Sequence, residues 1–167
     1  MDRIWLDNKL DLAMTPYKVV GTDCEQGFVE FVGDTATLAA MQYDGGLFET
    51  FADDTVENYM LKKVKEATEK KFSGTNASQK EKEDEVKRRL QKIREVFIRS
   101  TAGYCVASYV LGLGDRHPDN IMINFVEGNF LHIDFGHFLE NKKSKFGYKR
   151  ERDPFVFTPE IAYFVNG

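Results

Sequence analysis

A chain of 167 residues with 42% hydrophobic side chains, 14 Phe and 7 Tyr can build one ordinary core, or one lobe of a larger one. Its formal net charge of −4 argues against a general nucleic-acid binder. No apolar run is long enough to span a membrane and no signal-peptide pattern follows Met1, so any membrane contact is expected to be peripheral. Cys24 and Cys105 show neither metal-ligand spacing nor a disulfide framework, which fits a reducing compartment.

Residues 1–9 read as the end of a helix. Residues 10–20 read as extended, with Leu10, Leu12 and Met14 alternating and Pro16 marking an edge or bend. Thr22-Asp23 and Gln26-Gly27 frame a turn into a strand over 28–32, ended by Gly33-Asp34. Glu30 interrupts that strand, as a side chain facing solvent on a period of two would. Residues 35–52 are ambiguous, with 35–42 compatible with a short helix and Gly45-Gly46 a break. Asp53-Asp54-Thr55 supplies N-cap chemistry ahead of Val56, Tyr59, Met60 and Val64, an apolar stripe at helical spacing that reads as core.

Between 70 and 89 Lys and Glu mix densely with almost no apolar residue. That composition predicts a flexible charged insertion, either a solvated loop or the exposed start of a helix. From Leu90 the pattern turns apolar through Ile93, Val96 and Phe97. The small residues Ala102, Gly103, Ala107 and Ser108 allow neighbours to approach, so the end of this helix is expected to be buried, with Gly112 and Gly114 stopping it. Near the chain ends, Ile4, Trp5, Phe157, Ile161, Phe164 and Val165 all call for burial, and the chain is expected to be a piece of a larger domain.

The loop at 113–120, LGDRHPDN, carries Asp115, Arg116, His117 and Asn120. IMINFVEGNFLHI then reads as two strands turned at Glu127-Gly128-Asn129, leading to Asp134-Phe135-Gly136. Such a hairpin folds the chain back so that Asn120 and Asp134 approach one another. A carboxylate and an amide oxygen at a loop end suit a hard divalent cation such as Mg²⁺. Asp115 precedes Asn120 by five positions, the interval between catalytic Asp and metal-binding Asn in the protein-kinase loop. Asp134-Phe135-Gly136, after a hydrophobic strand, matches the metal-binding Asp-Phe-Gly of that family.

LGLGDRHPDNIMI, followed by LHIDFGHFLENKKSKFGYKRERDPFVFTPE, resembles the catalytic and activation loops of phosphatidylinositol 3-kinases. His follows Arg here, where it precedes Arg in ordinary protein kinases. IWLDNKLDLAMTPYKVV and GFVEFV resemble the same family's segment before and through its hinge; only about 51–92 lies outside the resemblance. The resemblance implies an α+β, protein-kinase-like lipid-kinase fold, mostly hinge and C-terminal lobe and incomplete at both ends. Residues 1–34 would close the N-terminal lobe and form the hinge. Residues 35–167 would form part of the C-terminal lobe, with catalytic loop 113–120, metal-binding loop 134–136 and activation loop 137–157.

The implied reaction is transfer of the ATP γ-phosphate to the 3-hydroxyl of a phosphoinositide. Asn120 and Asp134 would hold Mg²⁺, and Asp115 and His117 would share orientation of the nucleophile and removal of its proton. Imidazole suits that task because its ordinary titration lies near neutral pH. His132 would be structural, while His137 would assist at the phosphate. The adenine would meet the backbone of Glu30 and Val32, with Tyr17, Val29, Met122 and Ile133 as apolar walls of a slot left open in the core.

The basic run Lys142, Lys143, Lys145, Lys149, Arg150 and Arg152 would recognise an already phosphorylated inositol, which in this family favours class I enzymes and phosphatidylinositol 4,5-bisphosphate, class II loops sharing part of the pattern. Those cations would also help the loop lie on an anionic membrane. The resemblance implies a cytoplasmic protein recruited peripherally to membranes, with a regulatory subunit contacting parts outside this chain. The motifs are compatible as well with a phosphatidylinositol 4-kinase, a superfamily protein kinase, or a non-catalytic binding module. No phosphate-covering loop with its Lys precedes the hinge-like segment, so residues 1–167 alone are expected to show little or no kinase activity.

Overall fold

The computed structural model describes residues 1–45, 52–137, 139 and 155–167, together with the backbone of 144–145 and 148–149. It is a mixed α/β structure in which two antiparallel helices and a three-stranded sheet enclose one core.

Helix α1 (Asp2–Asp7) leaves Ile4 largely exposed and leads into an irregular segment. Strands β1 (Val19–Asp23) and β2 (Gln26–Val29) pair as a hairpin with Val19 opposite Val29. The strand expected over 28–32 ends at Val29. Glu30 closes the hairpin instead, its N–H donating to Lys18 O (2.8 Å) while its carboxylate Oε2 accepts from Lys18 N (2.8 Å).

The ambiguous stretch from 35 divides in two. β3 (Thr35–Thr37) uses the extended preference of its threonines, and α2 (Leu38–Asp44) begins where the Thr37 hydroxyl accepts from Ala40 N (3.1 Å). The antiparallel sheet runs β3-β4-β5, with β4 (Ile121–Asn124) between β3 and β5 (Phe130–His132). Its register sets Ala36 beside Ile123 and Ile123 beside Phe130.

Helix α3 (Thr55–Phe72) buries Val56, Met60 and Val64, as their spacing predicts, with Asp54 at its N-cap making no side-chain cap bond. Helix α4 (Gln79–Leu111) follows, 33 residues and so about 50 Å long. Of the two alternatives for 70–89, the exposed start of a helix holds over 79–89 and the flexible insertion is corrected: only 73–78 lies outside helix. Ser78 and Glu81 form a reciprocal capping box. Glu85 then gathers Lys71 (2.7 Å), Arg88 (2.8 Å) and Arg89 (3.1 Å), binding α4 to the end of α3 by charge.

Further along α4, Phe97 lies at the centre of the core. Its ring meets Phe130 of β5 edge-on at 5.9 Å and Phe164 of α5 (Pro159–Asn166) at 4.9 Å. Ile161 and Phe164 are completely buried within this chain, while Tyr163 on the same helix stays exposed. Ser100, also fully buried, accepts from Phe130 N (2.8 Å) and donates to Val96 O (2.9 Å), pinning the β4–β5 hairpin to the helix. Two short strands, β6 (Ser144–Lys145) and β7 (Tyr148–Lys149), pair after the site.

Candidate active site

The segment 10–18 is strapped along α4. Gly103 is the reason it can lie so close: a Cβ there would sit 2.6 Å from Met14 Sδ and 3.2 Å from Leu12 Cβ. Tyr104 Oη donates to Thr15 O (3.3 Å), and Asn129 Nδ2 donates to Ala13 O (2.8 Å). This strap delivers Tyr17, whose ring stacks on Phe135 with centroids 6.4 Å apart. Burial raises the Tyr17 phenol pKa; the charge of Arg116 opposes that rise and that of Asp134 adds to it. An N-terminal residue thus shares one electrostatic environment with the two loops.

Gly112 ends α4 in the left-handed conformation (φ 56°), and Leu113 N reaches back to Ser108 O (3.0 Å). Gly114 N then donates to His137 O (2.8 Å), so the chain after Asp-Phe-Gly is joined to the chain before Asp115. Asp115 (φ 61°) and Asp134 (φ 57°) both occupy left-handed backbone, a conformation costly for a residue with a Cβ. Such outliers persist where surrounding structure enforces them, and they gather at functional sites.

Arg116 supplies that enforcement. Its guanidinium is buried and donates through Nε to Gly114 O (2.8 Å), through Nη1 to Ile133 O (2.6 Å) and through Nη2 to Asp134 O. It also lies over the Phe135 ring, 5.6 Å from the centroid. One planar fork therefore fixes both loops, a task for which Lys lacks the geometry. The sequence placed Arg116 in the constellation but gave it no role, because its partners are backbone carbonyls that composition cannot reveal.

Asn120 is buried at the end of a 3₁₀ turn (Pro118–Asn120). Its Nδ2 donates to Asp115 O (2.8 Å), so the amide oxygen Oδ1 is the atom left to meet a cation. Ile133 N donates to Asn120 O (3.1 Å), which brings the two expected metal-binding segments together across the hairpin. Asp134 is exposed, with Oδ1 accepting from Gly136 N (3.2 Å). One carboxylate and one oriented amide oxygen form a hard-oxygen donor pair that fits Mg²⁺ completed by phosphate oxygens and water.

His117 lies at the surface beside Asp119, Nδ1 to Oδ2 3.6 Å. The sequence reading passed over Asp119, although its position two residues from His117 was a visible signal. His132 behaves as the structural residue expected of it. It packs against Tyr104 and Phe130, its Nδ1 lies 3.4 Å from Ser108 Oγ, and its Nε2 has no hydrogen-bond partner. Burial, with the nearby Arg116 charge, pushes its pKa down to about 3.

Of the expected adenine walls, Tyr17, Met122 and Ile133 are half-buried against the core, and so is Val32, whose backbone is expected to meet the base. Val29 is exposed and stands apart from that group. The N–H of Glu30 is spent on Lys18, which leaves only its carbonyl for a ligand. Lys142, Lys143, Arg150 and Arg152 lie outside the described residues. Lys145 and Lys149 are placed only as backbone in the β6–β7 pair.

A family model for phosphatidylinositol 3- and 4-kinase matches residues 1–166. The chain belongs to the phosphatidylinositol 3- and 4-kinase family. Within that family it is 42% identical over 169 residues to phosphatidylinositol 3-kinase 1 of Dictyostelium discoideum and 40% identical over 168 residues to phosphatidylinositol 3-kinase 2 of the same organism. It is also 40% identical over 167 residues to phosphatidylinositol 4-phosphate 3-kinase C2 domain-containing subunit alpha of Pongo abelii. All of this chain is matched in each case, but it spans only 9%, 8% and 9% of those relatives.

Proposed function

We propose that the loops 113–120 and 134–136 form the phosphoryl-transfer centre of a phosphoinositide 3-kinase with a protein-kinase-like fold, in which 1–34 forms the end of an N-terminal lobe and the hinge. The observation that carries this reading is the Arg116 fork, which holds left-handed Asp115 and Asp134 in a single unit with Asn120. Asn120 and Asp134 would hold Mg²⁺, which when bound neutralises charge on the ATP phosphates. The carbonyl of Glu30 and backbone of Val32 hold adenine, and Tyr17, Val32, Met122 and Ile133 line its slot. Asp115 orients the inositol 3-hydroxyl and His117 takes its proton, Asp119 stabilising the resulting imidazolium. The new bond joins the inositol oxygen to Pγ, and the bond from Pγ to the bridging oxygen breaks with its electron pair leaving on ADP.

The acceptor in this reading is phosphatidylinositol 4,5-bisphosphate at a cytoplasmic membrane surface, held by Lys142, Lys143, Lys145, Lys149, Arg150 and Arg152. A second acceptor has an observation in its favour, since one relative carries phosphatidylinositol 4-phosphate 3-kinase in its name. Assaying a full-length kinase containing residues 1–167 with ATP, Mg²⁺ and vesicles containing each lipid distinguishes them. The expected product is the 3,4,5-trisphosphate, lost when Lys149, Arg150 and Arg152 are changed together to Ala. Product from phosphatidylinositol 4-phosphate alone would establish the second acceptor. Phosphorylation at the 4-position, or of proteins but never of lipids, would overturn the 3-kinase reading.

A further inference from the structure

A groove of about 710 Å³ lies at the far end of the β4–β5 hairpin from Asn120 and Asp134, between α3, α4 and the turn after β4. Nothing in the proposed phosphoryl transfer uses it. Its floor is apolar, made by the buried Val64 and Ile93 with the partly exposed Val96 and Phe125. Around that floor stand Lys63 and Lys70 from α3 and Arg88, Arg89 and Lys92 from α4, against only Glu66 and Glu127. The surplus is positive on a chain whose net charge is −4.

We infer that this groove docks an acidic amphipathic helix of a partner protein. Length is the first argument. Lys63 to Lys70 covers about 10 Å of α3 and Arg88 to Val96 about 12 Å of α4, near the i to i+7 span of a partner helix. Charge distribution is the second. Arg88 and Arg89 already share Glu85, and Lys63 lies 3.7 Å from Glu66, so the charge offered to a partner is carried mainly by Lys70 and Lys92, one on each helix and apart from one another along the groove. A compact polyphosphate calls for cations converging on one point, whereas a row of Glu and Asp on a helix matches a row of Lys and Arg. Shape is the third: Val64 and Ile93 are recessed between two helices, within reach of a Leu or Phe anchor and out of reach of a flat bilayer.

A display library of helical peptides selected against the full chain tests this directly. The consensus peptide is then measured by fluorescence anisotropy against wild type and a Lys70→Glu, Lys92→Glu double variant. The expected consensus is acidic, with apolar anchors at i, i+3 or i+4, and i+7. Its affinity should fall at least tenfold in the double variant, while thermal unfolding stays within error of wild type. Hydrogen exchange should slow over 63–70 and 88–96 when the peptide binds. A neutral or basic consensus, affinity unchanged in the double variant, or protection mapped elsewhere would overturn the inference. So would the same protection from phosphatidylserine vesicles or inositol hexakisphosphate without peptide.

Discussion

Among individual side chains, Arg116 links more of the site than any residue assigned a chemical step. Its fork accepts no substitute of the same charge, because a lysine ammonium cannot serve Gly114, Ile133 and Asp134 carbonyls in one plane. Arg116→Met leaves those carbonyls inside the fold without their donor and is expected to cost about 2–4 kcal/mol in denaturant unfolding. Arg116→Lys should fold more stably than Arg116→Met yet still lose kcat, since Asp134 is no longer held. Retained kcat in Arg116→Lys would show that the charge alone suffices. His132 sets a separate expectation for pH. Its folded pKa of about 3 lies below the ordinary value near 6.5, so between them the unfolded chain binds a proton that the native chain refuses. The stability due to neutral His132 is complete above about pH 6.5 and is lost as pH falls, by about 1.4 kcal/mol per unit. Unfolding measured at pH 6 and 5 should show that slope in wild type and a shallower one in His132→Asn.

At the scale of the elements, what the sequence revealed depended on whether the stabilising partner was near in the chain. The α3 stripe, the Gly112 stop and the β4–β5 hairpin were legible because periodicity and turn residues act locally. β3 was not, since three residues with no apolar alternation become a strand only by pairing with β4. For the charged stretch before Leu90, composition left loop and exposed helix as alternatives for a related reason. Its apolar content is low, but Ser78 and Glu81 cap the helix and Glu85 crosslinks it to α3, and neither effect registers as hydrophobicity. Lys71 and Arg88, hydrogen-bonded to Glu85, pull its carboxyl down to about 2. Ser78→Ala should therefore cost about 1 kcal/mol, appearing as faster hydrogen exchange over 79–89 with the remainder of α4 unchanged. The hairpin turn has less tolerance. A Cβ on Gly128 would meet Ile93 O at 2.3 Å with φ at 96°. Gly128→Ala is expected to cost roughly 3 kcal/mol, which a thermal melt would register.

Over the whole molecule, the α3–α4 pair and the three-stranded sheet form a mounting for the loops proposed to carry the chemistry. The candidate site could be picked out because Asp115, Asn120 and Asp134 are spaced for it in the sequence, whereas their geometry depends on distant contacts. Tyr17 reaches Phe135 only through the strap along α4, and Asn120 presents its oxygen only because Asp115 O holds its nitrogen. The most direct test is the rate at which a full-length kinase containing residues 1–167 phosphorylates phosphatidylinositol 4,5-bisphosphate vesicles as Mg²⁺ is titrated, in wild type and in Asp134→Asn. The account predicts Mg²⁺-dependent formation of the 3-phosphorylated lipid and at least a roughly hundredfold lower kcat in the variant. Equal rates in the two proteins, or undiminished turnover with Mg²⁺ chelated, would contradict it.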